Sequence, residues 1–158
     1  MKAGREIHVR MCEMETGSGG DLLRTTLGSC VGIGLLWPCR DLCGLAHCLL
    51  PEGFSHEVEK RAKYVTEAIP LLLSLMGAAP SQRHQLEAVV AGGACMVTNA
   101  KPAPYGLIGE QNTRMATRLL EQAGIRVVHT DVGGTRGRQL RIDCAQKTYL
   151  VNTIDRTH

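Results

Sequence analysis

Seven cysteines and six histidines occur among 158 residues, and a thiol beside an imidazole is the pairing that yields a nucleophile for acyl chemistry at neutral pH. The segment Leu27-Gly28-Ser29-Cys30-Val31-Gly32 sets one thiol where a glycine-containing loop runs into an apolar strand. Such a loop lets a substrate approach the sulfur closely, and the Cys30 N–H becomes a candidate oxyanion donor. A cysteine at a strand start is more often a packed apolar residue, so Cys30 needs a partner before it means anything.

His47 is that candidate partner. If Pro38-Cys39-Arg40-Asp41 turns a hairpin centred between Cys39 and Arg40, residues whose numbers sum to 79 lie opposite one another, and His47 becomes the diagonal neighbour of Cys30 on the same face. Diagonal Cα atoms in an antiparallel ladder lie roughly 7–8 Å apart, within reach of side chains that lean together. A slip of one residue would send the two to opposite faces. A free thiol titrates near ~8.5, and a neighbouring imidazolium lowers that value, so the expectation is a depressed Cys30 thiol. The thiolate would attack a carboxamide carbon, and His47 would protonate the departing ammonia and then activate water on the thioester. A lone histidine inside a strand is otherwise a satisfied core residue.

A metal reading competes for the same stretch. Cys39, Cys43, His47 and Cys48, with Cys30 nearby, are enough soft ligands for one zinc ion. No paired CxxC is present, and Cys48 should point to the strand face opposite His47. The set is therefore a poor tetrahedral cage.

These side chains need a scaffold. The chain is 44% hydrophobic and 21% charged, which fits one folded domain and not a disordered segment. Its formal charge of +3 is spread out, with no basic run or aromatic-interleaved patch, so nucleic acid is not favoured. The N-terminus has no apolar stretch behind its charges and no window reaches the length of a spanning helix, so the expectation is a cytoplasmic protein with no membrane insertion. In that reducing compartment the cysteines are free, not a disulfide framework.

Along the chain, Ile7 to Met14 reads as a first strand and Thr16 to Gly20 as a loop; Leu22 to Trp37 is interrupted by Gly28, Gly32 and Gly34, with Val31 to Leu36 a buried strand, and Leu42 to Leu50 is the returning strand. Apolar spacings of three and four from Glu57 to Met76 predict an amphipathic helix, with Pro70 kinking or dividing it. Leu86 to Ala91 is a short buried strand and Ile108 to Ala123 a second helix, with Asn112 as a cap or surface residue. Ile125 to Val132, Gln139 to Cys144 and Thr148 to Asn152 are further strands, and Gly133 to Arg138 is a turn with two solvated arginines. Strands that partly alternate with two main helices give an α/β (α+β) layered single domain over residues 1–158.

Several blocks carry a resemblance in a fixed order: Leu27-Gly28-Ser29-Cys30-Val31, Gly44-Leu45-Ala46-His47-Cys48-Leu49-Leu50-Pro51, Lys63-Tyr64, Gly92-Gly93-Ala94-Cys95-Met96, Ile108-Gly109-Glu110-Gln111-Asn112, and Asp131-Val132-Gly133-Gly134 with Gly137-Arg138. Together they resemble the CheD chemoreceptor glutamine deamidases over nearly the whole chain. The resemblance implies that Cys30 is the nucleophile and His47 the general base. It also implies that an upstream threonine orients the histidine, with Thr25 preferred over Thr26. The implied substrates are glutamines on the cytoplasmic helices of methyl-accepting chemotaxis receptors, the implied further partner is the phosphatase CheC, and no cofactor is implied. The alternative is a non-catalytic regulatory partner of a CheC-like phosphatase, in which Cys30 and His47 only pack.

Overall fold

The computed structural model describes residues 4–54, 61–96 and 106–154. Within them the chain forms β1 (Glu6–His8), β2 (Met14–Gly17), β3 (Leu22–Leu27), β4 (Val31–Trp37), β5 (Leu42–Cys48), α1 (Val65–Leu75), a 3-10 helix (Pro80–Gln85), β6 (Glu87–Gly92), α2 (Ile108–Gln122), β7 (Arg126–Val132), β8 (Gly137–Asp143) and β9 (Thr148–Ile154). The strands make a four-stranded sheet in the order β1-β3-β8-β9 and a five-stranded sheet in the order β2-β5-β4-β6-β7.

Strand parity sorts the side chains into two cores. On β4, Val31, Ile33, Leu35 and Trp37 face Val65, Ile69 and Leu72 of α1 and Ala116 and Leu120 of α2. On the other face of the same sheet, Leu36, Cys43, Leu45, Val89 and Ala91 meet Leu23, Leu27, Leu140 and Ile142 of the four-stranded sheet. The layers therefore run helices, five-stranded sheet, four-stranded sheet, an α+β arrangement that agrees with the expected layered domain. Glycines set the spacing of the two sheets: a Cβ at Gly32 would lie 2.7 Å from Leu27 Cδ1, and one at Gly34 would lie 2.8 Å from Ile142 Cδ1.

The β4–β5 hairpin has the register read from its turn. Val31 lies opposite Cys48, Gly32 opposite His47 and Trp37 opposite Leu42. The Arg40 N–H donates to the Trp37 carbonyl at 2.9 Å, the Arg40 guanidinium lies 4.7 Å over the Trp37 ring, and the Trp37 indole N–H donates to Gln85 Oε1 at 2.9 Å. A turn pinned in this way leaves no slack for a one-residue slip.

Three expectations about the elements need correction. The stretch Ile7 to Met14 is not one strand: β1 and β2 belong to different sheets, and the crossing between them turns at Cys12, whose φ is 69°. Residues Thr16 and Gly17, read as loop, pair with Gly44 and Cys43 at the edge of the five-stranded sheet. Pro70 does not divide α1, which continues from Val65 to Leu75 with Pro70 on its exposed side. The expected helical onset at Glu57 and Val58 lies outside the described residues. No helix among the described residues is long and apolar enough to cross a membrane.

Candidate active site

The sequence folds so that three elements meet at one end of the space between the sheets. On β3 the alternation Leu23, Thr25, Leu27 points inward while Thr26 is exposed. On β5 the residues Cys43, Leu45 and His47 alternate onto the same inner face. Cys30 ends the loop between β3 and β4, where the chain leaves one sheet for the other, and it packs with the core between the sheets. Cys30 and His47 are each 4% exposed and Thr25 is fully buried.

A chain of hydrogen bonds fixes the imidazole. The Thr25 hydroxyl donates to the Val9 carbonyl at 2.6 Å, and Thr25 Oγ1 lies 2.7 Å from His47 Nδ1. A hydroxyl has one proton. Because that proton goes to Val9, Oγ1 accepts from Nδ1–H, and the neutral ring carries its proton on Nδ1. Nε2 is left as a bare lone pair, buried and with no hydrogen-bond partner, the Cys30 thiol included. An acceptor held in that state is the form a general base requires.

Burial sets the charge state of both groups. Desolvation, with His8 adding repulsion and Glu13 opposing it, pushes His47 down to about 4. Desolvation and the nearby Cys12 thiol push Cys30 up to about 11, with only a small opposing effect from its own backbone N–H. At neutral pH the resting site therefore holds a neutral thiol and a neutral imidazole. This corrects the expected thiolate–imidazolium pair: with both groups withdrawn from water, charge separation is disfavoured until something compensates it.

The loop carrying Cys30 is held at three successive carbonyls. Ala94 N–H donates to Gly28 O at 3.0 Å and Gly93 N–H donates to Cys30 O at 2.8 Å. Between them, Asn112 Nδ2 donates to Ser29 O at 3.1 Å. The same Nδ2 donates to Leu49 O, two residues beyond His47, at 3.0 Å. Asn112 is fully buried, not the cap or surface residue expected from its place near the start of α2. Its partners lie 83 and 63 residues away in sequence, and no local signal points to them.

Other singled-out residues do not join the site. Cys39 is exposed, Cys48 faces the helices, and Cys43 faces Cys144 between the sheets, a thiol–thiol hydrogen bond that pushes the Cys43 pKa up. No group of three or more His, Cys, Asp or Glu side chains among the described residues could hold a metal ion. Arg138, expected to be solvated, is buried and ion-paired with Asp131 at 3.0 Å, and its guanidinium also donates to the Arg136 carbonyl.

Fold and site together define a layered α+β protein with a thiol and a tautomer-fixed imidazole on one inner face. The family model described as CheD chemotactic sensory transduction matches residues 49–153, and the chain belongs to that family. That span begins two residues past His47. Alignments with whole relatives reach further. The chain is 36% identical to a probable chemoreceptor glutamine deamidase CheD 2 of Ruegeria sp. (strain TM1040), covering 96% of this chain and 93% of that one. It is 40% identical to a probable chemoreceptor glutamine deamidase CheD of Bdellovibrio bacteriovorus, covering 96% and 97%. It is 32% identical to the chemoreceptor glutamine deamidase CheD of Halalkalibacterium halodurans, covering 94% and 93%. Among solved structures, a Neisseria meningitidis protein of the DUF152 family model has the same fold with a TM-score of 0.52 at 8% identity; the match covers 82% of this chain and 64% of that one.

Proposed function

We propose that the whole chain acts as one chemoreceptor glutamine deamidase domain, with Cys30 as nucleophile, His47 as general base and acid, and Thr25 as the residue that orients His47. The observation that carries the reading is the bare Nε2, left by the Thr25–His47 hydrogen bond on the strand face that Cys30 shares. The names of the relatives support a deamidase over a non-catalytic regulatory partner.

The reaction runs in two halves. As the substrate carboxamide binds, the Cys30 proton moves to Nε2 and the sulfur attacks the carbonyl carbon. The developing oxyanion is taken by the Cys30 N–H. Nε2–H then protonates the departing nitrogen, ammonia leaves, and a thioester remains. In the second half Nε2 removes a proton from water, the hydroxide adds to the thioester carbon, and the thiol leaves with its proton restored. Glutamine becomes glutamate. Because both groups rest neutral, the imidazolium exists only while negative charge is present on sulfur or oxygen beside it. The Thr25 oxygen stabilises that imidazolium through Nδ1–H, as a carboxylate does in other triads.

The substrate proposed is a glutamine on the cytoplasmic helices of methyl-accepting chemotaxis receptors. A new carboxylate there alters repulsion between neighbouring helical turns and offers a site for methyl esterification. The proposed compartment is the cytoplasm, where the seven thiols stay reduced, and a CheC phosphatase is proposed as a regulating partner. Ammonia release from a purified receptor cytoplasmic fragment, with mass spectrometry to locate the converted glutamine, tests the reading. The native chain should release ammonia and Cys30→Ala should not; equal release by the two would remove Cys30 from the mechanism.

A further inference from the structure

We propose that Asn112 is a positioning residue of the acyl-transfer site: by gripping the Ser29 carbonyl it aims the Cys30 N–H at the point where the oxyanion forms. The inference rests on the deamidase reading above and adds to it the residue that presets the oxyanion donor.

Ser29 C=O and Cys30 N–H belong to one planar group, and every described peptide bond is trans, so the two bonds point in opposite directions. Fixing the carbonyl toward α2 therefore turns the N–H away from α2. The next unit is fixed as well, because Gly93 N–H holds the Cys30 carbonyl at 2.8 Å. Cys30 is thus clamped on both sides while its own N–H donates to no other residue among those described. An N–H held between two fixed peptide groups, with only its own residue's sulfur beside it, is oriented before substrate arrives, the condition under which such a donor contributes most.

Asn112 is built for this grip and poorly built for stability. Both Nδ2 hydrogens are used, one on Ser29 O and one on Leu49 O. A flipped amide would set its oxygen against two carbonyl oxygens, so the neighbours decide its orientation. Its Oδ1 is then left buried without a partner. A buried unmade acceptor is costly; an apolar residue of similar shape avoids that cost but leaves the Ser29 and Leu49 carbonyls without these bonds. What an apolar residue does not supply is the double hold, from a rigid helix, on the residue before Cys30 and the residue two past His47. That hold sets the spacing of nucleophile loop and base strand as well as the direction of the N–H.

The test compares two reactions of the same thiol. Alkylation by iodoacetamide displaces iodide at a saturated carbon and forms no oxyanion, whereas deamidation does. In Asn112→Leu, kcat for ammonia release from a receptor fragment should fall about 100-fold, with KM and the Cys30 alkylation rate within about threefold of the parent. A folded variant with unchanged kcat overturns the proposal, and so does one in which alkylation falls in step with kcat. Should Asn112→Leu fail to fold, the near-isosteric Asn112→Asp decides. Its carboxyl donates one hydrogen bond when protonated and none when ionised, so its kcat relative to the parent should rise as pH falls, and a flat ratio overturns the proposal. If the parent itself releases no ammonia from any receptor fragment, the deamidase reading falls and takes this inference with it; equal rates in parent and variant overturn the inference alone.

Discussion

Thr25 Oγ1 accepts a hydrogen bond from His47 Nδ1–H at 2.7 Å while the Thr25 hydroxyl donates one to the Val9 carbonyl at 2.6 Å. The threonine reaches across from one sheet to a histidine on the other, so the tautomer of His47 depends on how the two sheets pack.

That dependence gives the first prediction. Thr25→Val keeps the shape but removes the acceptor, leaving Nδ1–H buried and unpaired at a cost of about 1–3 kcal/mol. The ring is then free to carry its proton on Nε2, where it is useless as a base. Ammonia release should fall by more than tenfold, while Thr25→Ser, which keeps the hydroxyl, should retain most of it. Urea unfolding beside the activity assay checks both; an active Thr25→Val protein would show that the tautomer is set elsewhere.

The charge state of His47 predicts a stability profile. Burial holds its folded value near 4 against 6.5 for the free group, with His8 lowering it and Glu13 raising it. The unfolded chain therefore binds the proton first as pH falls. Stability is full above 6.5, declines between 6.5 and about 4, and is flat with respect to this group below that. At roughly 1.4 kcal/mol per unit the loss is about 3 kcal/mol. Urea midpoints at pH 7, 5.5 and 4 measure it, and His47→Gln should flatten the decline. A midpoint that does not move between pH 7 and 4 in the parent would contradict a buried neutral imidazole.

How far the sequence foretold this arrangement depends on how local the cause was. The register that turns His47 to the inner face was legible because the turn Pro38 to Asp41 and strand parity determine it locally, whereas Cys30 lies one residue before β4 and meets that face by packing into the core between the sheets. Thr25 over Thr26 was less so: only the alternation of β3 against the opposite sheet shows which threonine faces inward. The split of Leu22 to Trp37 between two sheets was not readable, since the partners of β3, β1 and β8, lie elsewhere in the chain. Asn112 was missed for the same reason. A polar residue near a helix start is ordinarily a cap, and only the packed fold shows that this one is buried against two distant carbonyls.

The raised thiol yields a kinetic prediction. Desolvation and the neighbouring Cys12 hold Cys30 near 11, so alkylation of the resting enzyme should climb about tenfold per pH unit through pH 9 and level only towards 11. Exposed Cys39 should react faster at neutral pH. Peptide mapping after timed iodoacetamide exposure separates the two sites. A Cys30 rate already level at pH 7 would mean that the resting site holds a thiolate after all.

The last prediction concerns Gly92, which approaches the Cys30 backbone from β6. Its φ is +109°, and a Cβ there would lie 2.3 Å from the Cys30 carbonyl oxygen, a backbone atom that has no flexible end to swing away. Gly92→Ala must therefore displace the Cys30 loop or the end of β6, loosening the Gly93 N–H hold on that same carbonyl. Gly124, after α2, separates this clash from backbone strain. Its φ is +80° and nothing lies within 4 Å of a Cβ built on it. Gly124→Ala should cost only the left-handed conformation, about 1–2 kcal/mol, and leave ammonia release unchanged. Gly92→Ala should cost more than that and lower kcat in whatever fraction remains folded, because a 1 Å displacement of a reacting group is worth about 100-fold. Thermal melts and ammonia release on the two variants together read the difference. Equal effects would mean that the loop yields freely at Cys30 and that its position is not held from β6.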